Sequence, residues 1–406
     1  MKSIKNLSWL SGIVFVVLAL LISACSNSDG STNTGAAQGT TSTTTGTVKV
    51  VNSTTAAPTP ATSTTMSDNR NTTILPTLPL TQIRMTDASH GWALDKNNVL
   101  KTSDGGKSWV ALTPKGADVS HGIEADFMNA LNAWVAMPGN STITLFRTTT
   151  GGASWTSSSI NEATPGGLSL TFVSSQTGWI EDAPDGAGAG SEGVDILRTD
   201  NGGATWTRIA TSGQGANALP IGGIKSGLSF VNTATGWATG ESATMTPWLY
   251  MTHDGGKTWY PKTISGLSSA ASAYQTAPSE VLGNNGFLPL TVTNSSTPHT
   301  ILARSSDGGA TWTVNGQQSA AFLTSNLYVE NSQNAWATDQ NSGDVYRTTN
   351  GGKTWQKVAS QTGIYGPLSF ISATTGFGLS GRDQTLLKRT DDGGKTWQTI
   401  SYQLHG

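Results

Sequence analysis

Thr252-His253-Asp254-Gly255-Gly256-Lys257-Thr258-Trp259 is one of seven copies of an eight-residue phrase, and the return of that phrase decides the architecture. The copies begin at Thr102, Thr148, Thr199, Thr252, Ser305, Thr348 and Thr390, and successive closing tryptophans lie 46, 51, 53, 53, 43 and 42 residues apart. That period is the length of one small antiparallel sheet, which cannot bury both its faces alone and must stack on neighbours. Within the phrase, Asp104, Asp254, Asp307 and Asp392, or Asn201 and Asn350, stand where a short side-chain oxygen accepts backbone N–H groups across a tight turn. The paired glycines that follow tolerate positive φ, and the closing Trp folds over the turn from the far arm of the hairpin. Copy two carries Thr150 in place of the acid, which predicts a less well tied turn.

A second landmark precedes every box: Gly91-Trp92, Ala133-Trp134, Gly178-Trp179, Gly236-Trp237, Gly286-Phe287, Ala335-Trp336 and Gly376-Phe377. Ahead of each stand a β-like run and a polar turn, as in Leu228 to Val231 followed by Asn232 to Thr235. Each unit therefore reads as four strands, with the aromatic landmark on the second and the box between the third and fourth. Seven such units predict an all-β chain: a seven-bladed β-propeller of four-stranded antiparallel blades over residues 76–406.

The phrase resembles the Asp-box, or BNR repeat, of sialidases, sortilin-type receptors and certain glucanases. With a Trp-bearing strand ahead of each Asp-Gly-Gly-Lys-Thr-Trp, the domain is most similar to the photosystem II assembly and stability factor family, whose relatives also occur in bacteria that do not photosynthesise. The resemblance implies a propeller that assists the assembly of a membrane complex. It carries the fold further than the task, because one blade design serves many functions.

The chain opens as an export signal. Lys2 and Lys5 precede an apolar run from Ile13 to Ile22, and Ile22-Ser23-Ala24 leads into Cys25, the single cysteine. This segment resembles the lipobox of bacterial lipoproteins, which implies a signal peptide over residues 1–24, acylation of Cys25 and attachment to the outer face of the cell membrane. Residues 25–75 are dominated by Ser, Thr, Gly, Ala and Pro and read as a disordered tether, too poor in apolar surface to offset the entropy of ordering. Loss of Lys2 and Lys5 leaves 21 basic against 25 acidic residues, a mildly negative balance with no electrostatic footprint for nucleic acid. The expected partner is an envelope or membrane-complex protein, with a glycan as the alternative, and the expected state is monomeric.

Box turns are nearly constant in length, whereas the span from landmark to box varies from 10 to 20 residues. Variable loops on a rigid scaffold are where recognition usually resides, so the working face is expected opposite the boxes. Unit three has the longest such loop, carrying Glu181, Asp182, Asp185, Glu192 and Asp195 among glycines. The density of carboxylates raises calcium as an option, but the spacing fits no ligand loop and favours a solvated surface. Trp248 and Tyr274 complete the candidate ligand face, Trp248 as a stacking ring for a sugar or peptide or as packing between blades.

Enzymatic readings fare less well. Lys101, Arg147, Arg198, Arg304, Arg347 and Arg389 recur directly before the boxes, so they spread around a disc and cannot converge as a sialidase arginine triad would. Their expected role is to cover strand edges and pair with neighbouring acids. No carboxylate pair stands out for polysaccharide hydrolysis, and the five histidines show no metal-ligand spacing. No cofactor is implied. The sequence favours a binding or assembly module, with a glycoside hydrolase or carbohydrate-binding propeller as the runner-up.

Overall fold

The computed structural model describes residues 74–75, 78–119, 122–162, 165–184, 186–242, 246–267, 273–293, 298–314 and 326–406. The signal peptide, Cys25 and all of the tether except Ile74–Leu75 lie outside these residues, as does Asp185. The described residues form strands and turns with no helical element.

Strands fall where the repeat places them. In unit two Glu124–Phe127, Ala133–Pro138, Thr142–Thr148 and Thr156–Asn161 form a four-stranded antiparallel sheet in sequence order, with Trp134 on the second strand and the box between the third and fourth. Units three, six and seven repeat this order. Such sheets, packed face to face, give the architecture of a β-propeller. Each hydrophobic cluster straddles two units: Trp134, Ile143 and Leu145 of unit two pack with Phe172, Ile180 and Trp206 of unit three. At the two ends of the repeat, Ile83, Ala93 and Trp109 of unit one pack with Phe377, Leu379 and Leu387 of unit seven.

The landmark explains how the units stack. Trp134, Trp179 and Trp336 lie flat on Phe172, Phe230 and Phe370 of the next unit, with centroids 4.0, 3.6 and 3.8 Å apart. Each of those phenylalanines meets its own unit's box Trp edge-on, at 6.0 to 6.2 Å. The indole N–H of Trp134, Trp179, Trp237 and Trp336 then donates to a box glycine carbonyl of the following unit, Gly202, Gly255, Gly309 and Gly393. A buried hydrogen bond of this kind contributes about 1 kcal/mol beyond the ring's burial. The landmark glycine has a steric cause. A Cβ on Gly178 would fall 2.4 Å from the ring of Phe172, so the preceding strand's Phe occupies the space a side chain would need.

Two departures from a uniform four-stranded blade appear. Unit one's sheet has six strands, because Gln403–His405 runs parallel to Ser108–Ala111 and Ile74–Leu75 pairs with Gln403–His405 on the outside. Both ends of the domain thus cover an edge that would otherwise be open. Units four and five share one ten-stranded sheet. The first strand of unit five is split into Ala273–Thr276 and Glu280–Leu282, and the first piece joins unit four where Glu241 opposes Gln275. Pro278 sits in the gap; it has no N–H for a ladder and restrains the residue before it, so an unbroken strand cannot pass.

Candidate functional site

The box turns are built by hydrogen bonds. Asp254 Oδ1 accepts from Thr252 Oγ1 at 2.8 Å, Lys257 N at 3.0 Å and Thr258 N at 2.9 Å, while Oδ2 accepts from Thr258 Oγ1 at 2.7 Å. Asp104 and Asp392 repeat the pattern, and Asp307 receives Ser305 Oγ, Thr311 N and Thr311 Oγ1. Partial burial pushes Asp104, Asp254 and Asp392 upward, but the combined donors outweigh it and all three carboxyls lie below their ordinary value, Asp392 at about 2. Asn201 and Asn350 reproduce the acceptor with Oδ1 and donate through Nδ2 to Thr205 and Thr354. Thr150 in copy two keeps one backbone donor, Ser154 N at 2.9 Å. These groups are saturated by their own turns and leave little for a ligand.

The recurrent cations are likewise occupied. Lys101, Arg147, Arg198, Arg347 and Arg389 lie over the landmark ring of their own unit, 4.8 to 5.8 Å from its centroid. Lys101, Arg147 and Arg198 also reach the carbonyls of Ala130, Ser175 and Thr233 in the next unit. Pairing with an acid is seen for Arg198 with Asp200 and Arg389 with Asp391. Covering an indole and bridging to the neighbouring unit is therefore as much their task as neutralising carboxylates.

The first strand of every unit faces a cavity of about 2330 Å³, exemplified by Gln82, Ala125, Ser169, Ser226, Glu280, Tyr328 and Pro367. Asp95 and Arg382, on second–third connections, border it on one side, and Asn129 and Asn331, on first–second turns, on the other. Neighbouring first strands are tied across this space by Phe172 N donating to Asp126 Oδ2 at 2.6 Å and by Met85 N donating to Ser369 Oγ at 2.9 Å. Among the described residues, eight carboxylates line the cavity against four cations. Arg84 is buried and donates to Tyr328 Oη, which itself donates to the Phe370 carbonyl.

Lys225 is held elsewhere. Its ammonium donates to the carbonyls of Glu192, Pro220, Ile221 and Gly223 and sits 5.1 Å from the Trp248 ring centre. Burial pushes it down to about 8 against the upward pull of Glu192 and Glu181. This cage fastens the long loop of unit three to the start of unit four, aided by Lys225 N donating to Glu192 Oε2 at 2.6 Å. Beside it Glu181 is buried, with no hydrogen-bond partner for Oε2 among the described residues, and burial followed by the nearby Glu192 raises its carboxyl to about 8. Glu124 is open to the cavity yet ringed by protein. That encirclement pushes its carboxyl upward, less than full burial would because cavity water still reaches it.

The acids expected on one solvated loop have separated. Glu192 lines the cavity. Asp182 and Asp195 oppose each other across adjacent strands and are buried, not solvated. Asp182 Oδ1 accepts from Gly166 N, and Asp195 accepts from Thr211 Oγ1. Arg208 joins Asp195 to Glu162, a buried acid that ends unit two. Burial raises Asp182 to about 6, with a counter-pull from the Gly166 N–H. Among the described residues no group of three or more His, Cys, Asp or Glu is arranged to hold a metal ion.

Trp248 is buried, lies tilted against Tyr250 with ring centroids 4.6 Å apart and donates through Nε1 to the Gly222 carbonyl, so its ring offers no face to a sugar or peptide. Tyr274 is buried in the cluster between units four and five and is not on the ligand face. Both lie on strand faces directed at a neighbouring unit, which isolated aromatics in variable-length segments did not reveal. Among the cavity acids, the sequence places Glu181 only in the acidic loop and leaves Glu124, Glu241, Glu280 and Glu330 unassigned. The signal was available, since Glu124, Glu280 and Glu330 lie on or just after first strands.

A family model described as photosynthesis system II assembly factor YCF48 matches residues 64–217 and again 214–368. No curated protein matches by sequence. Among solved structures, YCF48 bound to a D1 peptide is 18% identical, with 79% of this chain and 94% of that chain covered at a TM-score of 0.50. The GH74 xyloglucanase from Xanthomonas campestris is 12% identical with a TM-score of 0.54; 82% of this chain is covered, but only 55% of the xyloglucanase. The two family-model matches together span about three quarters of the sequence, with six of the seven boxes and landmarks included, and the chain belongs to the photosynthesis system II assembly factor YCF48 family.

Proposed function

We propose that the chain is a closed seven-bladed propeller, carried outside the cell on an acylated Cys25 and a flexible tether, that binds a polypeptide segment of an envelope or membrane-complex protein. The observation that carries this reading is the family match over residues 64–368. A solved structure of the same family holds a peptide, and this chain's fold follows that protein along 94% of its length. The seven box turns and the packing of unit seven on unit one support a ring of seven blades. Box acids and recurrent cations are consumed by the scaffold, so recognition falls to the cavity and the variable loops beside it.

A second reading, action on polysaccharide, rests on the fold shared with the xyloglucanase. It requires two carboxylates about 5–9.5 Å apart in a cleft that a sugar chain can enter. The two readings separate in one experiment with the full chain purified from membranes. A binding module retains a defined membrane protein after mild detergent extraction and releases no reducing sugar from a panel of polysaccharides. Sugar release that a single Asp→Asn or Glu→Gln change abolishes would replace the first reading with the second. The anchor is tested separately: metabolic labelling with a fatty-acid analogue should mark the wild type and not Cys25→Ser.

A further inference from the structure

We infer that the cavity binds an extended, positively charged polypeptide segment, which it selects through its ring of inward-facing glutamates. This rests on the binding reading above and specifies the partner's chemistry.

Charge is the first ground. The lining holds twice as many carboxylates as cations, whereas the chain as a whole is nearly balanced at 23 basic to 25 acidic residues. Two of the four cations are already engaged, Arg84 by Tyr328 and Lys225 by its carbonyl cage. A third, Arg382, stands at one mouth, 4.8 Å over the Tyr365 ring. The acids are distributed differently: Glu124, Glu181, Glu192, Glu241, Glu280 and Glu330 come from units two to six and face one space. The ionised members of this set focus a negative potential into a low-dielectric space, and an entering cation also favours ionisation of Glu181, whose proton it replaces.

Glu181 is the second, independent ground. It is 95% buried, borders the cavity, and its Oε2 has no donor among the described residues. An unpaired buried carboxyl is costly unless a ligand supplies the missing donor. Burial raises Glu181 against the downward pull of Lys225, and it raises Glu330 against that of Arg347.

Shape indicates a chain and not a compact ion. First strands such as Gly167–Phe172 and Ile224–Phe230 run the depth of the cavity, which at about 3.3 Å per residue is roughly 20 Å. Six or seven extended residues span that length. Ser169 and Ser226 supply hydroxyl groups along the wall for a backbone to meet.

The test uses the full chain in detergent and a fluorescently labelled twelve-residue peptide of alternating lysine and glycine, read by anisotropy at two salt concentrations. A glutamate–glycine peptide of equal length is the control. The lysine peptide should bind and weaken with salt, the glutamate peptide should not bind, and the Glu124→Gln/Glu181→Gln pair should weaken binding about tenfold or more. Equal binding of both peptides, or unchanged affinity in the double variant with an intact thermal transition, would overturn the inference. Glu241→Gln, on the exposed end of a strand, provides a second variant should the pair fail to fold, and an expected loss of about threefold. Full displacement by spermine at matched charge would assign a small-polyamine site and also overturn the polypeptide assignment. If wild type and double variant retain the same membrane protein equally, the function stands and the cavity assignment falls. If the lysine peptide binds but no membrane protein is ever retained, the reverse holds.

Discussion

At the box turns, Asp104, Asp254 and Asp392 each receive three donors on one oxygen and a hydroxyl on the other, and their carboxyls sit below the ordinary range. In unit three, Glu181 borders the cavity, lacks a partner on Oε2 among the described residues and is raised to about 8, and Asp182, on the opposite face of the same strand, is raised to about 6. The same chemical group is thus stabilised as an anion in one region and penalised as one in the other. Saturated acids belong to the scaffold; underserved acids mark where the fold leaves binding capacity open.

Opposite signs follow for stability, and each can be broken by a substitution. The largest effect is expected at the rim. Asp254→Ala strands the amides of Lys257 and Thr258 and two hydroxyls, and should cost about 2–3 kcal/mol in urea unfolding, whereas Asp254→Asn should cost under about 1 because Asn201 and Asn350 already build this turn. Equal losses for Ala and Asn would show that the turn does not depend on the acceptor. Next, Arg208→Met leaves Glu162 and Asp195 without their shared guanidinium, for a loss of about 2 kcal/mol that should shrink as pH falls and Glu162, raised by burial, takes up a proton.

The two buried acids of unit three predict the reverse sign. Glu181 and Asp182 hold their protons more tightly folded than unfolded, so their contribution is complete below the unfolded values and is lost as pH rises towards about 6 for Asp182 and about 8 for Glu181. The box acids are depressed and lose their contribution only as pH falls towards about 2 at Asp392. The melting temperature should therefore drop between pH 5 and pH 8, and Glu181→Gln should reduce that drop by raising stability at pH 8 while leaving pH 5 nearly unchanged. A variant curve parallel to wild type would remove Glu181 from the account. The smallest effect is a gain: Thr150→Asp restores the second acceptor oxygen of copy two and should add about 0.5–1 kcal/mol.

The boxes and landmarks were legible because local chemistry dictates them. An acid, two glycines and a Trp define their own turn, and every repeat states the rule again. The stacking partner of each landmark was not legible, since Trp179 on Phe230 and its bond to Gly255 join residues about 50 and 76 apart. The split first strand of unit five could have been suspected from Pro278, but its merger with unit four depends on where the neighbouring edge falls. For the site, the acid-rich loop misled. Along the sequence Glu181 to Asp195 reads as one solvated stretch, yet strand alternation sends Asp182 to the face towards unit two and Glu181 to the face towards unit four. Glu280 and Glu330 looked unremarkable because their meaning comes only from convergence with other units.

A photo-crosslinking residue placed in living cells at Gln82, on the cavity wall, and separately at Lys257, on a box turn, tests the division most directly. The account predicts adducts from position 82 to one recurring polypeptide and none from position 257. Adducts from position 257 with silence at position 82 would contradict it.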